Sequence, residues 1–304
     1  MTKRIRDNLT AYSFLAPFLV IFLTFLVYPI VYSLYLSFHR VTDLYNVFGA
    51  MKLVGLDNFA QLIHDGQFWW SLLMTLYYAA LVIPFGIILS LFLALLLNNR
   101  LPFRSLFRSA YFMPYVLDMF VVGLVWVLIY SPHFGVLNRL FVLFGIDIFL
   151  EKGFLGNPWS AMPAVAFANV LKGSGFGLVL YLAAMANISP SLYEAAAIDG
   201  AGGWQRFRAI TYPLLKPVTL FLVIIGIITA LNAFAEIYAM TEGGPNVEIG
   251  GRALGATWVT GYYLFRTFYI SLKLGYAAAI SYVLLVLTLI ISIVNMRLFR
   301  TERA

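Results

Sequence analysis

Six stretches of the chain, near residues 12–36, 69–97, 108–130, 160–187, 217–240 and 273–296, are almost continuously apolar. Each is long enough to cross a bilayer as a helix, which takes about 20 residues for roughly 30 Å of hydrocarbon. The pattern predicts an all-α membrane protein with six transmembrane helices in a single membrane domain, residues 1–304. An even number of spans puts both termini on one side, and the basic residues choose the side. Twelve of them flank the inner ends: Lys3, Arg4, Arg6, Arg100, Arg104, Arg108, Arg206, Arg208, Lys216, Arg297, Arg300 and Arg303. Seven fall in the opposite loops, namely Arg40, Lys52, Arg139, Lys152, Arg252, Arg266 and Lys273, and Lys172 lies inside the fourth span. Because cytoplasmic loops carry the Lys/Arg excess, the chain is expected to run N-in and C-in. The first apolar run has no small-residue cleavage site at its end and reads as a retained helix rather than a secretory leader.

Composition agrees with this reading: 62% of residues are hydrophobic, 11% are charged, and the mean hydropathy is +0.89, well outside the soluble range. The net charge of +7 reflects topology rather than nucleic-acid binding, since the cations sit in short clusters between spans. With no cysteine, disulfides, thiol nucleophiles, cysteine zinc sites and iron–sulfur clusters are excluded. His39, His64 and His133 are far apart in the predicted outer loops without metal-ligand spacing. No metal site is expected.

The inner segment 188–217 is polar, long and patterned. Ser189-Pro190 reads as a hydroxyl N-cap followed by a first-turn proline, and Ser191 with Glu194 has capping-box spacing. A short helix should run through Ala195, Ala196, Ala197 and Ile198 and stop at Gly200 and Gly202-Gly203. A second amphipathic piece follows, with Trp204, Phe207, Ile210 and Leu214 at helical spacing. Pro213 and Pro217 should then bend the chain into the fifth span. Such a helix–turn–helix with an alanine ridge is shaped to enter a groove on a partner.

The segment EAAAIDGAGGWQRFRAITYPLLKP, residues 194–217, resembles the EAA loop of binding-protein-dependent ABC importer permeases, whose pattern is met by Glu194, Ala195, Ala196, Gly200, Ile210 and Pro213. The triplet Asp199-Gly200-Ala201, together with IYAMTEGGP at 237–245 and GYAAAIS at 275–281, is similar to the carbohydrate-uptake, maltose-type branch. The resemblance covers essentially the whole chain. It implies that the loop is a coupling helix seated in a cleft of an ATPase subunit, with Glu194 pairing a basic group there, Ala195 and Ala196 allowing close approach, and Asp199 and Gly200 shaping the turn. Locally, Glu194 could equally serve a capping box, and Asp199 and Gly200 simple helix termination. The resemblance further implies a second, non-identical permease subunit, a dimer of ATP-binding subunits and an extracytoplasmic solute-binding protein. It implies residence as a multi-pass protein in a bacterial or archaeal cytoplasmic (inner) membrane.

No G-x-x-x-x-G-K-[ST] phosphate loop occurs. The chain is therefore not expected to be an enzyme or to bind a cofactor, and ATP and Mg would sit on the partner ATPase. The run Gly173-Ser174-Gly175-Phe176-Gly177 in the fourth span allows either close helix packing or a locally broken helix lining a path.

Polar residues within spans mark pairing sites or a water-accessible path. Asp118 follows Tyr115 by about one turn in the third span, Asn169 and Lys172 lie in the fourth, and Asn232 and Glu236, four apart, are expected on one face of the fifth. Carboxylates and amides beside aromatic rings suit a sugar, bonding its hydroxyls while rings cover its apolar faces. The resemblance implies that sugar is held by spans three to five, and so by Tyr115, Asp118, Ser174, Gly175, Phe176, Asn232, Ala233 and Glu236. The alternative for the charges is a structural ion pair of Lys172 with Asp118 or Glu236. Sugar or oligosaccharide import by alternating access is the leading function, with glycerol phosphate or a polyol as rival cargo. The carboxylates depart from the maltose-type pattern. A secondary transporter would not need the EAA loop, and a membrane enzyme would show clustered acid–base groups.

Overall fold

The computed structural model describes residues 3–43, 51–99 and 102–300. Arg100 and Arg303, and the side chains of Lys3, Arg4, Arg6 and Arg300, lie outside the described residues. In chain order the elements begin with α1 (Lys3–Phe22), a π-helical turn (Leu23–Val27) and α2 (Tyr28–Ser37), which together form one long N-terminal helix. Next come strands β1 (His39–Val41) and β2 (Met51–Leu53), then α3 (Asp57–Ile63), α4 (Gly66–Asn98), α5 (Arg104–Val116), α6 (Met119–Ile129) and α7 (Val136–Leu143). After α8 (Pro158–Ala186) come α9 (Pro190–Ile198), α10 (Gly203–Arg206), a π turn (Phe207–Thr211), α11 (Tyr212–Leu231) and α12 (Ala235–Met240). The chain ends with β3 (Asn246–Ile249), β4 (Arg252–Gly255), α13 (Thr260–Phe265), a π turn (Arg266–Ile270) and α14 (Leu274–Arg300).

Among the described residues, five helical runs are long and apolar enough to span a membrane, and the pair α5–α6, bent by 102° at its break, makes up to six. The loops between these helices contain two small antiparallel pairs, His39↔Leu53 to Val41↔Met51 and Asn246↔Gly255 to Ile249↔Arg252. Three expectations change. The third span is not one helix: Leu117 and Asp118 are extended, with ψ of 147° and 140°, so Tyr115 and Asp118 do not share a helix face. The fifth span ends at Leu231, and Asn232 and Phe234 leave helical geometry, so Asn232 and Glu236 are not one turn apart on one face. Pro213 and Pro217, in contrast, do not bend the chain, because helix continues from Gly203 to Leu231. Pro213 sits at the first turn of α11, where its missing N–H costs little. The flanking π turn takes up the irregularity, and transmembrane helices tolerate internal proline such as Pro217.

The chain forms two compact units, residues 66–263 with 288–304, and residues 1–65 with 264–287. In the first, α8 is central, with 56% of its most apolar window buried against 22% or less for α4 and the α10–α11 run. Its alanines and glycines allow the close approach that replaces a hydrophobic driving force in lipid. A side chain on Gly175 would collide with the Tyr111 carbonyl of α5, and one on Gly177 with Ser90 of α4. The run at Gly173–Gly177 is unbroken α-helix, so close packing is its structural role. Ser90 also donates to the Ser174 carbonyl at 3.0 Å. Beyond them, Thr75 of α4 and the Thr260 hydroxyl lie 3.1 Å apart, and Thr260 donates to the Leu231 carbonyl at 3.0 Å.

In the second unit, Asn58 holds the turn after α2 by donating to the carbonyls of Ser37 (2.8 Å) and His39 (3.1 Å). Gly275 lets α14 pass the His39 carbonyl at a distance no side chain would allow. Tyr276 donates to Asp65, and Tyr282 to Ile30.

Candidate functional site

Two places within the larger unit carry chemistry, the 188–217 segment and a cavity among the spans. In the segment, Gly200 adopts φ +73°, and the Gly200 and Ala201 amides donate to the carbonyls of Ala197 (3.1 Å) and Ala196 (2.8 Å). This is a Schellman termination, which requires a left-handed residue after the helix and explains the glycine. The Gln205 side chain accepts from the Gly202 amide at 2.7 Å, starting α10, and Arg206 donates to the Ala201 carbonyl at 2.7 Å. The hydroxyls of Tyr193 and Thr211 lie 2.9 Å apart and tie α9 to the second helix.

The capping box anticipated at Ser191 and Glu194 is not formed. Ser189 is the extended N-cap without a side-chain cap bond, and its hydroxyl instead lies 2.7 Å from that of Ser191. Glu194 makes no hydrogen bond or ion pair among the described residues and is exposed, as are Ala195, Asp199 and Gly200; Ala196 is half-buried. Ile198, 87% exposed, and Trp204, 71% exposed, flank them. The sequence placed Trp204 on the apolar stripe of an amphipathic helix and ran the short helix through Ile198. Their exposure identifies a partly apolar surface with two carboxylates, Glu194 and Asp199, that have no side-chain partner among the described residues.

The cavity has a volume of about 560 Å³ and is lined by α4, α8, α11 and α12 together with the break between α5 and α6. Glu236, on α12 and only 7% exposed, anchors its polar side. One carboxylate oxygen, Oε1, accepts from the Tyr78 hydroxyl at 2.7 Å and from the Asn169 amide at 3.5 Å. The other, Oε2, has no hydrogen-bond partner among the described residues. Tyr115 and Phe176 stack with centroids 5.0 Å apart and planes 15° from parallel. Lys172 reaches over Tyr115, with Nζ 3.2 Å from its carbonyl and 5.4 Å from its ring centroid, a cation–π distance. Lys172 forms no ion pair within 4.0 Å with Asp118 or Glu236, so the structural ion-pair alternative is not the arrangement present.

Of the residues anticipated for a cargo path, Tyr115, Phe176, Asn232, Ala233 and Glu236 line the cavity, and Asp118, Ser174 and Gly175 do not. Asp118 is the N-cap of α6, its Oδ1 accepting from the Phe120 amide at 2.8 Å. Ser174 and Gly175 face the packed α4 and α5 sides of α8, with Ser174 buried. Asn232 donates to the Ile228 carbonyl at 2.8 Å, satisfying the last turn of α11. Both polar residues at the two breaks thus bond to freed backbone groups, which cannot go unmet in a membrane. Tyr78 was missed, because a tyrosine within an apolar run reads as packing; its partner Glu236 was the signal that could have found it. Asn169 and Lys172, noted as polar positions of the fourth span, both line the cavity.

Comparison with known proteins places these features in context. Residues 59–301 match the model of a family described as binding-protein-dependent transport system inner membrane component. A lactose transport system permease protein of Rhizobium radiobacter is 35% identical over 292 residues, 95% of this chain and 93% of that protein. An sn-glycerol-3-phosphate transport system permease protein of Shigella flexneri is 32% identical, over 96% and 94% of the two chains. Among solved structures, a chain of a bacterial alginate ABC transporter in complex with an alginate pentasaccharide-bound periplasmic protein superposes with a TM-score of 0.80. That chain is 27% identical, with 99% of this chain and 97% of that one covered.

Proposed function

Because this chain belongs to the family of binding-protein-dependent transport system inner membrane components, we propose that it is a permease subunit of an ABC importer that passes a sugar or oligosaccharide through the cavity bounded by Tyr78, Tyr115, Phe176 and Glu236. The observation that carries the cargo class is the pairing of an aromatic stack with a buried carboxylate that keeps one oxygen free. A sugar ring presents apolar C–H faces to aromatic rings and hydroxyl donors to carboxylates. The lactose and alginate systems among its relatives support the same class. Tyr115, Phe176, Asn232, Ala233 and Glu236 form the cargo path in this reading, and Asp118, Ser174 and Gly175 support it from behind.

The chain runs N-in and C-in, so that α9 lies on the cytoplasmic side. There Glu194, Ala195, Ala196, Asp199 and Gly200 form the surface received by an ATP-binding subunit. Nucleotide-driven closure of a pair of those subunits, felt through α9, reorients the spans and exposes the cavity alternately to either side. ATP and Mg belong to that partner, and this chain binds no cofactor. One such segment per chain calls for a second, similar permease subunit and a solute-binding protein on the outer face. Support for the docking surface comes from the rigid Schellman turn and the exposed Glu194, Ile198 and Trp204.

Lys172 favours a second reading, in which an anionic polyol such as glycerol phosphate is carried; a relative named for that solute exists. Lys172 is the one cation among the described residues lining the cavity and shares it with the carboxylate of Glu236, which makes this the weaker of the two. ATP-dependent uptake by the complex in proteoliposomes, with binding protein and a panel of saccharides, polyols and glycerol phosphate, decides between them. Saccharide uptake weakened by Phe176→Ala supports the proposal, glycerol phosphate uptake alone the second reading, and failure to transport any of the panel removes the cargo class.

A further inference from the structure

Helix α7 is apolar on both faces, which leaves one face to be covered by something outside the chain. Its inner face is committed. Leu137 packs on the core around Tyr130 and Met162, Phe141 meets Phe149 and Phe154 edge-on at 5.7 and 5.2 Å, and buried Asn138 donates to the carbonyls of Pro132 and Phe149. Val136, Leu140 and Leu143 recur at the spacing of one helical face and are exposed. Leu143 reaches 79% and the adjoining Phe144 81%. Arg139 lies on the flank of that stripe.

We propose that the outward face of α7, Val136, Leu140, Leu143 and Phe144, is buried in the outer-leaflet boundary of the bilayer as an interfacial anchor, with Arg139 reaching a lipid phosphate. Three observations select lipid. The segment leaves the end of α6 at Ile129 and returns to α8 at Pro158, so it joins two span ends on one side of the membrane. Exposed apolar residues also stand at those same span ends, Leu128 and Trp159, and tryptophan concentrates at the membrane–water boundary. An amphipathic cation beside an apolar stripe, its stem lying along it and its head reaching the phosphates, is how interfacial helices sit on phospholipid. The inner-face bonds make α7 a fixed shelf, so lipid contact here would brace the α6–α8 connection that flanks the cavity.

Because this chain has no cysteine, a single introduced thiol is its one labelling site, and the partner subunits are used in cysteine-free form. Leu143→Cys and Leu140→Cys, each carrying an environment-sensitive bimane label, are placed in the full complex in phosphatidylcholine liposomes. Quenching by brominated phosphatidylcholine is compared with quenching by aqueous iodide, with Glu248→Cys, on the exposed β3–β4 hairpin, as the water reference. The proposal expects several-fold stronger quenching by bromolipid than by iodide at both positions and the reverse at Glu248. Iodide quenching equal to that at Glu248 means the face is wet and overturns it. Protection from both quenchers, standing or arising only when the binding protein is added, means a protein covers the face and overturns it equally. Leu140 decides should the Leu143 variant fail to assemble, and neither arm depends on which solute is carried.

Discussion

Replacing Tyr78 with phenylalanine removes one oxygen and nothing else, and the geometry sets what that oxygen is worth. Its hydroxyl donates to Glu236 Oε1 at 2.7 Å, with Tyr78 buried and the carboxylate 7% exposed. A hydrogen bond to a charged group contributes about 1.5–3 kcal/mol, against about 1 for a neutral pair. The ring is kept, so no cavity cost is added, and Asn169 at 3.5 Å offers only a long substitute. Tyr78→Phe should therefore destabilise the protein by about 2 kcal/mol, roughly 30-fold in the unfolding equilibrium. In a Glu236→Gln background the same substitution should cost only about 1 kcal/mol, because the amide carbonyl is a neutral acceptor. Reversible unfolding of the purified chain in mixed detergent micelles, run as a double-mutant cycle, measures both values. Equal costs in the two backgrounds, or a cost below about 0.5 kcal/mol in the unmodified protein, would refute the assignment of the carboxylate as the bond's charged acceptor.

Other consequences are as specific. Gly175→Ala should cost about 1–3 kcal/mol by pushing α5 from α8, since the added carbon meets the Tyr111 carbonyl and the Phe112 Cα. Gly173→Ala, whose nearest neighbour is Asn169 Oδ1 at 3.9 Å, should leave the thermal midpoint of the complex unchanged. Asp118→Ala should cost about 1 kcal/mol through loss of the α6 cap, and Asp118→Asn almost nothing. Cargo-stimulated ATP hydrolysis lost in a fully stable Asp118→Asn protein would return that charge to the cargo path. Phe176→Ala should raise the half-saturating saccharide concentration about 3- to 10-fold, the worth of an aromatic face of about 0.5–1.5 kcal/mol, with little change in basal ATP hydrolysis.

The spans were legible because hydropathy integrates over about 20 residues and survives local error. The breaks were not. Helical geometry is lost at Leu117–Asp118 and at Asn232–Phe234, neither of which holds proline or glycine. Meanwhile Pro84, Pro114, Pro163 and Pro217 all sit inside helices. In a membrane, what permits a break is a nearby polar side chain able to bond the freed backbone, and Asp118 and Asn232 are such residues. The rule that reads an intramembrane polar residue as functional found them, but their local bonds are to backbone. Glu236 met the same rule and does line the cavity, where Tyr78, Asn169 and Lys172 join it from sequence positions that no periodicity connects. The 188–217 segment was the reverse case. Its motif was written in consecutive residues, and only the exact partner of Glu194 needed three dimensions, which show the carboxylate without one among the described residues.

The central claim, that this chain transmits work done by an ATPase to the cargo cavity through α9, is tested most directly by solute-stimulated ATP hydrolysis of the full complex, comparing the unmodified protein with Glu194→Ala. The account predicts that one solute on its binding protein stimulates hydrolysis in the former. It further predicts that the variant, with α9 still folded around Gly200, keeps its membrane assembly and loses most of that stimulation. Hydrolysis indifferent both to every solute and to Glu194, in a complex that still transports, would contradict it.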